Sequence, residues 1–417
     1  MNTPKLIQFL VAAILATQAV AQDRTVNALD QTWEALRRAV QEGKVAGAAH
    51  LVVRDGKTIY SEAAGFSDID GKTPFKVDAI LRIYSMTKPM ISVSAMRLYE
   101  QGKFKLDDSV ALYIPAFSNA TVLQKAGDKV ERVTPKRPVS IHDVLRHTTG
   151  YSYGDEPSVR EYYEREGMRY GGPGDMFPPK MTIAKAADAL ARIPALHHPG
   201  EKFTYGYSTD LLGRLIEVWS GKPLDVFLRE SVLDPLEMAD TGFSVPKEKR
   251  ARFTPCLTFL DGKFAVLDPV ASSPFNDGFA FLSGGGGLLS TVNDYAKFCQ
   301  MLVDGGQFKG QRLLKPETVR LMLTNQLSGV GGSFKFGLGF AIEEIKLGSG
   351  EARRLATQYS WGGYASTEFR IVPAERLIQI FARQQIPYTQ DVAKNQFAIV
   401  YEGLAAPSSA AVPTPNR

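Results

Sequence analysis

The 417-residue chain has only two cysteines, Cys256 and Cys299, so it carries no disulfide framework; the two either pair across one loop or lie apart as buried thiols. Its histidines, His50, His142, His147, His197 and His198, show no His-Glu-x-x-His or comparable spacing, so neither a metal nor a cofactor is expected. Excess charge is equally scarce. Lys plus Arg number 49 against 44 Asp plus Glu, a formal net charge of +5. The densest basic run, Lys247, Lys249, Arg250 and Arg252, is short and has no interleaved aromatics, which reads as a solvated loop and excludes a nucleic-acid partner. No apolar run reaches the roughly 18 residues of a membrane span, so no stable membrane insertion is expected.

What is present is the composition of a folded enzyme-sized body, 44% hydrophobic and 10% aromatic. Lys5, an apolar stretch from Leu6 to Ala16, and the small residues Ala19 and Ala21 have the order of a secretory leader cleaved after Ala21. An exported protein, periplasmic or secreted, is expected. Loss of Lys5 with the leader leaves 48 basic against 44 acidic residues, or +4.

Hydrophobic spacing predicts a helix over 26–42, then strands over 48–54 and 57–64 joined by Asp55-Gly56, a strong hairpin signal. Helical stretches follow at 85–101, 140–147, 183–193, 208–220, 223–233, 291–303 and 316–324. Strands at 336–345, 367–372 and 377–384 and a helix at 392–404 complete the pattern. The expected fold is α/β in the α+β sense: an antiparallel sheet flanked by helices from both chain ends, with a mostly helical region inserted. In boundaries, 1–21 is the leader and 22–405 the folded domain, its α/β layer about 26–80 plus 335–405 and its helical region about 85–330. Residues 406–417, rich in Pro, Ser and Ala, are expected to be a disordered tail.

Three serine patterns compete for a nucleophile. In Leu81-Arg-Ile-Tyr-Ser85-Met-Thr-Lys88 the spacing puts Lys88 one helical turn from Ser85, where an amine can take or steer the hydroxyl proton; a helix N-cap is the bland role for the same serine. Ser244-Val-Pro-Lys247 repeats the spacing inside the charged run, where nothing buries the pair. Gly150-Tyr-Ser152-Tyr-Gly154 has the spacing of a nucleophile elbow without its strand-turn-helix context. A Ser-His-Asp triad would draw on His147. The run Ser283-Gly284-Gly285-Gly286-Gly287 lacks a P-loop ending and a dinucleotide spacing, so it reads as a tight turn or a close backbone approach.

Four segments in order resemble the serine β-lactamase and penicillin-binding-protein superfamily, in its class C β-lactamase branch and the family VIII carboxylesterases. They are Ser85-Met-Thr-Lys88, Leu145-Arg-His147-Thr-Thr-Gly150, Pro199-Gly-Glu-Lys-Phe-Thr-Tyr205-Gly-Tyr207-Ser-Thr-Asp210-Leu-Leu-Gly213, and Trp361-Gly362-Gly363. The resemblance implies that Tyr205 completes the catalytic set with Ser85 and Lys88, Tyr207 being the competing choice. It also implies an oxyanion hole from the main-chain N–H groups of Ser85 and Tyr364. Trp361-Gly362-Gly363 stands where β-lactamases carry Lys-Thr-Gly, and Tyr205-Gly206-Tyr207 where they carry Tyr-x-Asn. Both departures point from β-lactams toward esters. Trp361, Gly362, Gly363 and Tyr207, with Tyr151 and Tyr153 from the aromatic stretch 151–181, are the expected substrate-binding residues.

The expected function is therefore a serine hydrolase that cleaves small-molecule carboxylic esters through an acyl-enzyme on Ser85, without cofactor. A β-lactamase, a D-amino-acid peptidase or an acyltransferase of the same fold is the alternative, and an envelope binding protein that keeps the fold without catalysis is a third. Oligomeric state is not legible.

Overall fold

The structure is a computed structural model, describing residues 25–404 apart from 128, 170–180 and 351–352. The expected leader over 1–21, the expected tail over 406–417, and Tyr170 and Phe177 of the aromatic stretch lie outside the described residues.

Both chain ends build one six-stranded sheet. Its strands are β1 (Gly47–Arg54), β2 (Lys57–Gly65), β3 (Ala341–Leu347), β4 (Arg354–Gly363), β5 (Thr367–Val372) and β6 (Leu377–Ala382). They lie in the order β3-β4-β5-β6-β1-β2, every neighbouring pair antiparallel. The β1–β2 turn is the expected one, Asp55 and Gly56 both adopting positive φ (52° and 74°).

Alternation along β1 explains the layers. Ala48 and Val52 face the helix over residues 25–41 (α1) and the C-terminal helix Asp391–Gly403 (α5), packing with Leu36, Phe397 and Val400. Ala49, Leu51 and Val53 face the other way, into a larger core with Phe298 and Met301 of helix Val292–Val303 (α4). Each fully buried aliphatic side chain in these layers contributes about 1.5–3 kcal/mol. His50, on the α5 side of β1, meets Gln396 at 3.1 Å through Nδ1, and burial holds its pKa down at about 4. Cys256 and Cys299 are both buried and free, which selects the separate-thiol reading.

The inserted region is less uniformly helical than its periodicity suggests. It carries helices Thr87–Glu100 (α2) and Ser208–Ser220 (α3), and also the hairpins Val122–Ala126 with Lys129–Val133 and Cys256–Leu260 with Lys263–Asp268. The expected helix over 140–147 is cut to Ile141–Leu145. A capping box on Ser140 starts it, and His147, at φ 58°, turns the chain away. The strand expected from 336 begins only at Ala341, because Gly337–Phe340 forms a turn with Gly339 at φ 104°. Strand β4 was hidden in the sequence. It buries Gln358 and Ser360 and exposes Leu355, reversing the alternation that marks a half-buried strand.

Candidate active site

Ser85 sits in a single 3₁₀ turn, Tyr84–Met86, between the short strand Leu81–Arg82 and α2. Tyr84 holds φ at 41°, a left-handed conformation that re-aims the chain as it enters the turn. The turn is clamped from several sides. Arg82 is fully buried and donates to Asp268 (2.7 Å), Ser273 (3.1 Å) and the Thr254 carbonyl (2.7 Å). Tyr295 of α4 donates to the Met86 carbonyl at 2.9 Å, and the Leu288 N–H donates to Thr87 Oγ1 at 3.1 Å. Met86 occupies the N-cap of α2 and no side chain caps that end, so the Ser85 hydroxyl is not spent on capping.

Lys88, 1% exposed on the first turn of α2, donates through Nζ to Ser85 Oγ (3.1 Å), Tyr153 Oη (3.0 Å) and the Gly285 carbonyl (2.6 Å). Three acceptors match the three N–H bonds of an ammonium. Tyr205 Oη donates to Ser85 Oγ at 2.7 Å, and its ring lies 4.5 Å from Lys88 Nζ. Ser85 Oγ is therefore shared by an amine and a phenol, a proton-transfer geometry.

Tyr205 is placed by its neighbours. A Cβ on Gly206 would stand 2.3 Å from the Tyr151 carbonyl oxygen, so only glycine lets the 205–207 segment lie against the 151–153 loop. The Thr204 N–H donates to the His147 carbonyl at 2.8 Å, and the His147 ring stacks obliquely on Tyr205 at 5.3 Å. Burial, with the Lys88 charge beside it, lowers the His147 pKa to about 3, so the imidazole is neutral. Its Nε2 meets Thr209 Oγ1 at 3.2 Å, a structural partner. Just upstream, buried Asp143 is paired with Arg137 and Arg146; burial disfavours its charge, yet Arg137, Ser140 and Thr148 hold the carboxyl well below the usual range. The histidine thus serves as a wall of the site.

On the opposite side a cleft of about 480 Å³ opens over Ser85. Phe203, Tyr205, Phe334 and Trp361 form an aromatic end, with Trp361 and Tyr205 rings 5.4 Å apart. Glu343, Glu368, Arg370, Tyr388, Gln390 and Lys394 form a polar end. Glu368 and Arg370 pair at 2.7 Å, while burial pushes the Glu368 carboxyl up. The buried indole N–H of Trp361 and Glu368 Oε2 have no hydrogen-bond partner among the described residues. Gly363 brings β4 onto the nucleophile turn: a Cβ there would lie 2.2 Å from the Ile83 carbonyl oxygen.

Of the residues singled out from sequence, Ser85, Lys88 and Tyr205 meet at one hydroxyl, and Trp361, Gly362, Gly363 and Tyr364 line the cleft beside it. Tyr153 reaches the site from behind, on Lys88 rather than in the cleft. Tyr151 and Tyr207 do not line the cleft: Tyr151 is buried against Phe117, and Tyr207 is buried with its hydroxyl donating to the Met168 carbonyl at 2.5 Å. The competing serines fall elsewhere, Ser152 on the Glu156 carboxylate and Ser244 exposed with Lys247. Sequence reasoning missed Asp210, Ser283 and Gly285 behind Lys88, and the cations Arg370 and Lys394 in the cleft. The glycine run was a signal of close approach whose target could not be read. Among the described residues no three His, Cys, Asp or Glu side chains are grouped so as to hold a metal ion, and no helix is long and apolar enough to cross a membrane.

The family described as Beta-lactamase matches residues 29–400. Esterase EstB of Burkholderia gladioli is 26% identical over 370 residues, covering 83% of this chain and 89% of that protein. Monacolin J acid methylbutanoyltransferase of Aspergillus terreus is 26% identical over 401 residues, covering 87% and 92%. Among solved structures, that of EstCE1, described as a hydrolase with promiscuous acyltransferase activity, superposes with a TM-score of 0.73 at 23% identity, covering 92% of this chain and all of the other. Because that family match spans most of the chain, the protein belongs to the beta-lactamase family, within the superfamily of beta-lactamase and penicillin-binding-protein-like serine hydrolases.

Proposed function

We propose that the protein is a serine hydrolase cleaving carboxylic esters through an acyl-enzyme on Ser85. The observation that carries this reading is the shared hydroxyl: Tyr205 donates to Ser85 Oγ at 2.7 Å while Lys88 reaches the same oxygen at 3.1 Å. As Ser85 Oγ attacks the ester carbonyl, Tyr205, in its phenolate form beside the Lys88 ammonium, takes the Ser85 proton and returns it to the departing alkoxide. The Ser85 and Tyr364 N–H groups, both from residues lining the cleft, stabilise the oxyanion. Water then enters and releases the acid by the same steps in reverse.

Esters are favoured over β-lactams because Trp361 offers bulk and an indole N–H at the strand position where a lysine would hold a carboxylate. The cations of the polar end, Arg370 and Lys394, work against that argument, although Arg370 is already matched by Glu368. One kinetic panel separates the cases: p-nitrophenyl esters of increasing chain length beside nitrocefin, with Ser85→Ala as control. Ester turnover with negligible nitrocefin cleavage is the expected result; the reverse makes the protein a β-lactamase. The leader supports export, and cell fractionation with N-terminal sequencing beginning at Gln22 is the expected outcome.

A second reading changes only the acceptor. The similarity to a methylbutanoyltransferase and the aromatic end of the cleft favour transfer of the acyl group to an alcohol. Product analysis in the presence of an added alcohol distinguishes transfer, which yields a new ester, from hydrolysis.

A further inference from the structure

Asp210 is a buried carboxyl for which the proposed reaction has no task. It lies on the first turn of α3, five positions after Tyr205, and is 4% exposed. Oδ1 accepts from the Ser283 hydroxyl at 2.5 Å and from the Gly285 N–H at 3.0 Å, while Oδ2 has no hydrogen-bond partner among the described residues. The same glycine gives its carbonyl to Lys88 at 2.6 Å. A Cβ on Gly285 would stand 2.4 Å from Oδ2, so glycine is what lets the carboxyl lie against this stretch of backbone. An acid with one satisfied oxygen and one bare oxygen is thus held by the N–H of the same glycine whose carbonyl takes the Lys88 amine.

A buried ammonium is stable only near an opposite charge. The groups on Lys88 are the Ser85 and Tyr153 hydroxyls, the Tyr205 ring and the Gly285 carbonyl, none of them an anion in the arrangement seen. The charge of Lys88 also acts on His147, which is neutral, and on Asp210. We propose that Asp210 is the counter-charge that holds Lys88 as an ammonium on Ser85, acting with Gly285 as a positioning residue and without touching substrate. Burial raises the Asp210 carboxyl above its ordinary value, against the opposing pull of Lys88, Ser283 and Gly285. The counter-charge therefore appears only above the usual carboxylate range, and the reactivity of Ser85 rises as Asp210 ionises.

This inference rests on Ser85 as nucleophile but not on the identity of the substrate, so its test is the rate at which a fluorophosphonate modifies Ser85, followed against pH. The native protein is expected to show an acid limb. Asp210→Asn, which keeps the shape and an oxygen for Ser283 and Gly285, is expected to react roughly tenfold more slowly on the plateau and to lose that limb, with the KM for a p-nitrophenyl ester within about twofold. Ser283→Ala keeps the charge but removes a bond to it; the limb persists and moves to higher pH. An Asp210→Asn protein with the native rate, or a slower one with the limb in place, overturns the proposal. If that variant does not fold, an unmoved limb in Ser283→Ala overturns it instead. A native protein that never reacts defeats the nucleophile reading itself, which is a different failure.

Discussion

On the helical side of Ser85, Lys88 is sealed from solvent and its N–H bonds are matched by three oxygens, with Tyr205, Tyr153, Asp210 and the Gly285 backbone locked around it. On the strand side, Trp361, Phe334 and Tyr364 line an open cleft of about 480 Å³ over Ser85. A closed polar network fixes a proton path, whereas an open wall is completed by what binds to it. The contrast assigns rate to one side and selectivity to the other.

The sharpest way to break that contrast is to remove the oxygen at which the two sides meet. Ser85→Ala is expected to lower kcat for esters by about 10⁴-fold or more, leaving whatever the oxyanion N–H groups and binding supply. Residual turnover near the native rate would place the nucleophile elsewhere. Tyr205→Phe removes one bond of the network without opening a cavity; kcat should fall roughly 10²–10⁴-fold with KM little changed. A change confined to KM would move Tyr205 to the selectivity side.

Trp361→Lys tests the strand side. It should lower kcat/KM for p-nitrophenyl esters by roughly tenfold, a loss of about 1.4 kcal/mol of transition-state binding, while raising nitrocefin cleavage relative to esters. Equal losses on both substrates would show that Trp361 supports the site without selecting. The last effect is on stability and lies away from the reacting oxygen. His50 and His147 are buried neutral, with folded pKa values near 4 and 3, below the 6.5 of an exposed imidazole. The unfolded chain then binds more protons, so stability is full above about pH 6.5 and declines as pH falls toward the folded values. Thermal unfolding midpoints at pH 7.5, 5.5 and 4.5 should decrease in that order, whereas a flat series would mean that these histidines are accessible.

The two sides also differed in how far the sequence disclosed them. The Ser85–Lys88 pair was legible because it is local: three residues along a helix fix the geometry. Tyr205, 120 positions away, could be named only through resemblance, since no periodicity joins it to Ser85. Tyr151 and Tyr153 show the limit of composition, which marks an aromatic stretch but not its direction: Tyr151 is buried against Phe117 and Tyr153 meets Lys88, while Tyr207, named through resemblance, turns its hydroxyl to Met168. Asp210 escaped because its partners, the Ser283 hydroxyl and the Gly285 N–H, stand 73 and 75 positions away, and no periodicity joins them to it. The sheet was foreseen in β1, β2, β5 and β6 and, with its start five residues early, in β3. Strand β4, which carries Ser360, Trp361, Gly362 and Gly363 to the cleft, was not, because its buried positions include Gln358 and Ser360.

The most direct measurement is to mix the purified protein with a p-nitrophenyl ester, quench in acid within the first turnovers, and map the mass of every serine peptide. The account predicts the acyl group on Ser85 alone, absent from the Ser85→Ala protein. An acyl group on Ser152 or Ser244, or rapid turnover with no covalent adduct at any time, would contradict it.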